Sequence, residues 1–135
     1  MACYGPIGAL TRAPLDVIAS EPRTRAMLQA AMDEVVAVAA AHGVTLPETA
    51  NTIGNFAPNS TFSTLRDVVS GSPSELLELA GAVSRYGAAV EPPVPTPTHD
   101  FVLAALMPQE RLARGERLYS LGGVEAARQH PASRL

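Results

Sequence analysis

The chain has 135 residues, of which 47% are hydrophobic and 17% are charged, and its formal net charge at pH 7 is -3. This length and composition predict one globular domain with its own hydrophobic core and exclude an intrinsically disordered chain. The weakly acidic balance gives no support for binding to nucleic acid or to an anionic membrane surface.

The clearest predicted helix covers about residues 22–42. Ser20 is a suitable N-cap, Pro22 lies in the first turn, where its missing N–H costs nothing, and Gly43 is a helix stop. Apolar residues then recur at steps of four, three and four, which places them on one face: Leu28, Met32, Val35 and Ala39. Glu34 lies partly off this face.

Two shorter helices are predicted next, over about residues 47–56 and 60–70. In the second, an apolar set is expected to face inward: Phe62, Leu65 and Val69. Ser63 and Asp67 share its opposite face because they lie four residues apart. Asparagines also recur every four residues through this region, which indicates either a polar face that binds a ligand or, more commonly, a solvated surface: Asn51, Asn55 and Asn59.

A second long helix is predicted over about residues 73–90. A hydroxyl, a proline and a carboxylate form an N-terminal capping signature at Ser72, Pro73 and Glu75. A broad apolar face follows: Leu76, Leu79, Ala80, Val83, Tyr86 and Val90. Gly81 and Gly87 lower its intrinsic helicity by about 1 kcal/mol each relative to alanine, which is tolerated where another helix packs closely.

The four prolines of residues 91–97 exclude a helix interior there. Thr96 then caps a helix that begins at Pro97 and carries an apolar set: Phe101, Val102, Leu103, Leu106 and Met107. Pro108 is expected to end or kink this helix, and a polar helix over about residues 109–114 is predicted to follow.

Residues 115–135 have weak periodicity and a break at Gly122-Gly123. We therefore predict a helical domain over residues 1–114 and a loosely attached tail over residues 115–135. Because no alternating strand pattern of useful length occurs, the predicted fold class is all-α.

Several common chemical motifs are absent from the sequence. The glycine cluster at residues 5–8 is not a G-x-G-x-x-G turn after a strand, and all the basic residues are arginines, so no Walker lysine exists. No cofactor is therefore expected to bind to this chain alone. His42, His99 and His130 lie far apart, which disfavours a zinc site, and the lack of a G-x-S-x-G elbow disfavours a hydrolase.

The predicted location is the cytoplasm. No apolar run approaches the roughly 18–20 residues of a membrane span, and the amino terminus lacks the basic and apolar segments of a signal peptide. Cys3 is the only cysteine, which excludes an internal disulfide and a C-x-x-C motif.

The most specific pattern lies at residues 63–76, where Asp67, Gly71, Ser74 and Glu75 fit D-x-x-x-G-x-x-[ST]-E followed by apolar residues. This segment resembles the signature of ketopantoate reductase (2-dehydropantoate 2-reductase). Three further segments are similar to the same family: residues 32–44, Gly81-Ala82-Val83 and Pro95-Thr96-Pro97. The four pieces agree with the family in order and spacing over about residues 5–107.

The resemblance implies the helical C-terminal domain of that family, a fold of the 6-phosphogluconate dehydrogenase C-terminal-like type. The family's reaction, a step of pantothenate biosynthesis, is the NADPH-dependent reduction of a 2-keto acid to a 2-hydroxy acid. A Rossmann domain binds the cofactor, and the helical domain supplies substrate contacts. By resemblance, Glu75 positions the substrate hydroxyl and the general acid, Ser63 contacts the substrate carboxylate region, Asn59 is a further substrate contact, and Asp67 is structural. The capping signature would by itself also account for Glu75.

The sequence also departs from the family pattern. The family's general acid is a lysine near the start of the helical domain, four residues ahead of a substrate-binding asparagine. The pattern places that lysine before the first residue of this chain, and the chain has no other lysine that could replace it. Near Met1 and Gly5, where the family asparagines would fall, there is no asparagine. Since reduction needs a proton donor within hydrogen-bond reach of the forming alkoxide, we expect the isolated chain to be inactive.

Three interpretations of the function stay open. The first is a partial or split reductase, whose Rossmann domain is either a separate polypeptide or a part of the same protein that this sequence does not include. The second is a non-catalytic helical module that forms a homo-oligomer, such as a dimer, or binds a partner. In the third interpretation, it is a small-acid-binding protein that keeps the substrate-facing residues Ser63 and Glu75.

Overall fold

The computed structural model describes residues 1–47 and 52–116. It contains six helices: α1 (Tyr4–Thr11), α2 (Leu15–Ser20), α3 (Pro22–Ala41), α4 (Ser63–Ser70), α5 (Leu76–Ala88) and α6 (Pro97–Ala113). No strand occurs in this part of the chain, and the prediction of an all-α fold is confirmed. Most of the predicted tail, residues 117–135, lies outside the described residues.

The central helix is α1, which packs against every other helix. Five consecutive residues of α1 are buried: Gly5, Pro6, Ile7, Gly8 and Ala9. A helix that is apolar on all sides belongs in a core, and Pro6 is tolerated because it lies in the first turn. The sequence analysis predicted no helix here, since the glycines and the proline hid a segment that is held helical by its surroundings.

The prediction for α3 is confirmed to within one residue at its carboxyl end, and Gly43 follows it with a positive φ of 75°. The predicted cap was wrong. Glu21 is the N-cap, and its carboxylate accepts a hydrogen bond of 2.7 Å from the backbone N–H of Thr24. Ser20 instead ends α2, where its hydroxyl donates to the carbonyl of Val17.

The helix predicted over residues 47–56 was wrong for its described part, because residues 52–57 are not helical. This segment is held by aromatic packing: the ring centroid of Tyr4 lies 5.1 Å from that of Phe56 and 6.1 Å from that of Phe62. In α4, Val69 is 58% exposed, contrary to the prediction, and Thr64 is buried beside Leu65. The inward face of this short helix is set by its contact with α1, which lies on the side of Thr64.

The helices α5 and α6 also differ from their predicted bounds. α5 begins at Leu76, three residues later than the capping signature indicated. α6 continues through Pro108 to Ala113 as one helix. Proline is tolerated there because Ala104, whose carbonyl loses its partner, and Pro108 both lie on the exposed face. Phe101, which was expected in the apolar face, is 57% exposed.

Gly87 marks the closest approach between α5 and the segment that follows it. A Cβ atom at this position would lie 2.7 Å from the carbonyl oxygen of Val94. The backbone N–H of Val94 donates to the carbonyl of Gly87 at 2.9 Å, so the proline-rich segment folds back on the end of α5. The expectation that a close neighbour accounts for this glycine is met by the loop rather than by a helix.

The core is formed where α1, α2, α3, α5 and α6 meet, and its largest fully buried apolar side chains include Ile7, Ile18, Leu28 and Leu76. Each such side chain contributes about 1.5–3 kcal/mol by leaving water. None of the described helices is long and apolar enough to cross a membrane.

Candidate functional site

Ser63 and Glu75 lie at the starts of two helices that both contact α1. Ser63 is the first residue of α4, and Glu75 is the N-cap of α5. A Cβ atom at Gly5 of α1 would lie 2.8 Å from Oγ1 of Thr64 and 3.8 Å from Cδ1 of Leu79. Because Thr64 follows Ser63 and Leu79 lies one turn after Glu75, both helix starts converge on the amino end of α1.

The carboxylate of Glu75 is exposed and makes no capping hydrogen bond to α5. The predicted capping signature was therefore wrong in its roles. The side-chain hydrogen bond to the helix start comes instead from Ser74, the residue before the N-cap, whose Oγ accepts the backbone N–H of Leu76 at 3.3 Å. Glu75 contributes only its backbone, whose carbonyl accepts the N–H of Leu79 at 2.9 Å. Helix capping thus leaves the Glu75 carboxylate available for another interaction.

A buried carboxylate from α6 fixes the residue before Glu75. Glu110 is 2% exposed and accepts the backbone N–H of Ser74 with both oxygens at 3.1 Å. The hydroxyl of Ser74 donates to Oε2 of Glu110 at 2.7 Å. Arg114 pairs with Oε1 of Glu110 at 2.6 Å and donates to the carbonyl of Ser74 at 2.9 Å. Ser74 is therefore held through its N–H, its hydroxyl and its carbonyl, and we call Ser74, Glu110 and Arg114 the α5 clamp.

Sequence analysis missed the α5 clamp, although one signal for it exists. Val102, Leu106 and Glu110 recur every four residues on α6, and all three are buried. A carboxylate on the apolar face of a helix needs a partner, because burial of an unpaired charge is costly. The sequence does not show that this partner lies 36 residues earlier in the chain.

The amino end of α4 suits an anion. Phe62 is the N-cap and provides no side-chain hydrogen bond, and Ser63 places a hydroxyl in the first turn. Helix amino ends carry backbone N–H donors and a partial positive charge, which favour carboxylate and phosphate groups. The position of Ser63 is thus compatible with a contact to a substrate carboxylate.

The asparagines do not form a common face. Asn55 and Asn59 are exposed, no helix carries them, and Asn51 lies outside the described residues. Asn59 has a positive φ of 61°, and its backbone N–H donates to Oδ1 of Asp16 at 3.0 Å. Asparagine tolerates this left-handed conformation, which gives Asn59 a backbone role in the turn before α4.

A second buried carboxylate, that of Glu34, lies at the start of α6, and with Thr98 and His99 it forms what we call the α6 clamp. Glu34 accepts the backbone N–H of Thr98 at 2.7 Å and that of His99 at 3.1 Å, and it also contacts Nδ1 of His99 at 2.5 Å. Burial alone would raise the pKa of Glu34, but the hydrogen bonds from Thr98 and His99 outweigh it and lower the pKa.

Burial raises the pKa of the nearby Cys3 thiol to about 11, so Cys3 is not an activated nucleophile.

An apolar cleft of about 260 Å³ lies between α3 and α5, and Ala2 borders it. Its walls are formed mainly by aliphatic side chains, including Val35, Val38, Leu79 and Val83, with Glu78 as a charged residue among them. Because Glu75 lies three residues before Glu78, the cleft opens beside the candidate site.

The histidines are separated in the structure. His42 follows α3, and its Nε2 lies 3.0 Å from the carbonyl oxygen of Tyr86; His99 belongs to the α6 clamp; and His130 lies outside the described residues. In the described part of the chain, no group of three or more histidine, cysteine or acidic residues is arranged to hold a metal ion.

The family profile described as "Ketopantoate reductase PanE/ApbA C terminal" matches residues 1–110. The chain belongs to this family. The resemblance found in the sequence signature is thereby confirmed, and the helical fold is the one expected of a ketopantoate reductase C-terminal domain. A comparison with curated protein sequences gives no match.

Solved structures of ketopantoate reductases share this domain. The PanE/ApbA family ketopantoate reductase of Ralstonia eutropha JMP134 matches with a TM-score of 0.73 and 27% identity, over 84% of this chain and 39% of that one. The 2-dehydropantoate 2-reductase of Methylococcus capsulatus matches with a TM-score of 0.65 and 27% identity, over 88% and 42%. The dimeric ketopantoate reductase of Staphylococcus aureus, at 21% identity and a TM-score of 0.73 over 83% and 40%, shows the fold alone. This ketopantoate reductase C-terminal domain thus spans about two fifths of the length of these relatives.

Proposed function

We propose that this chain provides the substrate-binding surface of a ketopantoate reductase-like oxidoreductase, which reduces a 2-keto acid to a 2-hydroxy acid with NADPH. The observation that carries the proposal is the state of Glu75. This signature carboxylate is exposed and free of capping, and it stands on a clamped turn where the starts of α4 and α5 converge on α1. A carboxylate in that setting can accept a hydrogen bond from the substrate hydroxyl, while Ser63 contacts the substrate carboxylate.

The described residues do not fit a nicotinamide cofactor. A pyrophosphate needs a glycine turn whose backbone it can approach closely. Gly5 and Gly8 are instead buried within α1, where Thr64 and Ile18 occupy the space beside them. NADPH and the general acid would therefore come from a Rossmann domain outside this sequence, since this chain also has no lysine.

Binding of 2-dehydropantoate to the full chain tests the proposal. We expect saturable binding that Glu75→Gln and Ser63→Ala each weaken, because each removes a polar contact to substrate. Glu78→Gln is the matched control, since it removes another carboxylate from α5 only three residues away. Absence of binding, or equal loss in the control, would contradict the proposal.

Turnover is tested separately by isolating the chain from its own cells together with any bound Rossmann-domain chain. Loss of NADPH absorbance on addition of the keto acid would establish the split reductase. Binding without turnover in any such complex would instead indicate a small-acid-binding protein.

The second candidate is a non-catalytic helical module that dimerises or binds a partner. The apolar cleft favours it, together with the exposed aromatic residues Tyr86 and Phe101. In this case the native mass should exceed that of the monomer, and Ala82→Glu in the cleft should restore the monomer. For either candidate we propose a cytoplasmic location, because a single buried cysteine suits a reducing compartment.

A further inference from the structure

We propose that Glu110 and Arg114 are positioning residues for Glu75, acting through Ser74. This inference rests on the proposed function, because it concerns how the substrate-binding carboxylate is held. Neither residue belongs to the sequence signature at residues 63–76, and neither is expected to touch substrate.

The α5 clamp fixes the backbone next to Glu75. Ser74 is the residue before Glu75, and the α5 clamp holds its N–H, its hydroxyl and its carbonyl at distances between 2.7 and 3.1 Å. The peptide group that joins Ser74 to Glu75 is therefore fixed at its carbonyl by Arg114. With the following turn of α5 on its other side, the backbone of Glu75 is fixed from both directions.

The side chain that caps α5 belongs to Ser74 and not to Glu75. Glutamate near the start of a helix commonly turns back to cap its own backbone. Here Glu110 orients the Ser74 hydroxyl, which donates to Glu110 and accepts from Leu76, so Ser74 does the capping. The clamp thereby keeps the Glu75 carboxylate free to meet a ligand.

The α5 clamp also contains an ion pair. Glu110 is buried, and Arg114 balances its charge at 2.6 Å. A buried charged pair is weak evidence for stability, because removal of both ions from water is costly. The position of this pair directly behind Glu75 is better explained if the pair holds the geometry of that residue.

The test is titration of the full chain with 2-dehydropantoate at constant pH, with Glu110→Gln and Glu34→Gln compared. Both variants convert a buried carboxylate that accepts hydrogen bonds from the backbone at a helix start. Glu110 accepts the N–H of Ser74 at the start of α5, and Glu34 accepts the N–H groups of Thr98 and His99 at the start of α6. We expect Glu110→Gln to raise the Kd about tenfold, the order of loss that follows when a binding group loses its support. Glu34→Gln should change the Kd less than about twofold, although it also lowers the thermal midpoint.

Arg114→Gln and Arg111→Gln form a second pair that avoids loss of folding. Both arginines are partly exposed and form ion pairs on the last turn of α6, but Arg111 pairs with Glu116 and does not contact Ser74. Arg114→Gln should weaken binding, and Arg111→Gln should not. If Glu110 and Arg114 had only a structural role, the change in Kd would follow the drop in the thermal midpoint in every variant, including the controls Glu34→Gln and Arg111→Gln.

The outcomes separate the inference from the function on which it rests. If Glu75→Gln abolishes binding while Glu110→Gln and Arg114→Gln bind like the original chain, the positioning role is overturned and the proposed function stands. If the original chain does not bind the keto acid, or Glu75→Gln binds equally well, the proposed function and the inference fall together. The inference is supported if Glu110→Gln and Arg114→Gln weaken binding while the controls Glu34→Gln and Arg111→Gln do not.

Discussion

Replacement of Glu34 by alanine should lower the free energy of unfolding of this domain by several kcal/mol. The side chain accepts backbone hydrogen bonds of 2.7 and 3.1 Å from the first turn of α6 and also contacts His99. Hydrogen bonds to a charged group contribute about 1.5–3 kcal/mol each, and each buried donor left without a partner costs about 1–3 kcal/mol. Relief of the burial cost of the carboxylate offsets part of this loss. We therefore expect a net loss of about 3–4 kcal/mol from the removal of these hydrogen bonds.

Urea unfolding followed by circular dichroism measures this loss directly, since the chain is helical and contains no tryptophan. Asp33→Ala is the matched control, because Asp33 is the neighbouring acid but is exposed and should stay within about 0.5 kcal/mol. A loss below about 1 kcal/mol for Glu34→Ala would be no larger than an ordinary exposed cap and would refute the reasoning.

Three further predictions follow from single contacts. Hydrogen bonds lower the pKa of Glu34 below 4.5. The contribution of Glu34 to stability is therefore complete above that pH and is lost as the pH falls through the lowered pKa. In Glu34→Gln, the urea midpoint should consequently depend less on pH across this acid range. Gly87→Ala should destabilise by about 2–3 kcal/mol in thermal unfolding, because its Cβ would lie 2.7 Å from a backbone carbonyl. Gly81→Ala should instead be neutral or stabilise by up to about 1 kcal/mol, because the only tight contact of its Cβ, at 3.1 Å, would be with the end of the flexible Arg85 side chain. The buried Cys3 thiol, with a pKa of about 11, should react with a disulfide reagent near neutral pH far more slowly in the folded chain than in urea, and equal rates would contradict its burial.

Local sequence signals were sufficient for α3 and for the existence of α4, α5 and α6. Repeated apolar spacing and glycine stops carry that information within a few residues of each position. They failed for α1, whose Gly5, Pro6 and Gly8 disfavour a helix locally but fit the crowded centre of the fold. They also failed at Val69 and Phe101, which belong to apolar patterns but lie on faces that no described element covers.

The candidate site was predictable only in part. The signature residues that identify it are close together in the sequence, whereas the residues that hold them in place come from another helix. The spacing of Asp67, Gly71, Ser74 and Glu75 indicated the family from the sequence. The capping roles within that segment were assigned wrongly, because the residue that decides them is Glu110, from another helix. A glutamate placed among buried positions of α6 was the available signal.

At the starts of both α5 and α6, a backbone N–H donates to a carboxylate from a different helix. This has a consequence for the order of folding. The partners are separated by 36 residues at the start of α5 and by 64 residues at the start of α6. Neither helix start can be completed in a short nascent segment, since its acceptor is remote in the chain. Peptides of α5 or α6 alone should therefore fray at their amino ends. In the intact domain, the amides of Ser74 and Thr98 should exchange with solvent only when the tertiary structure opens.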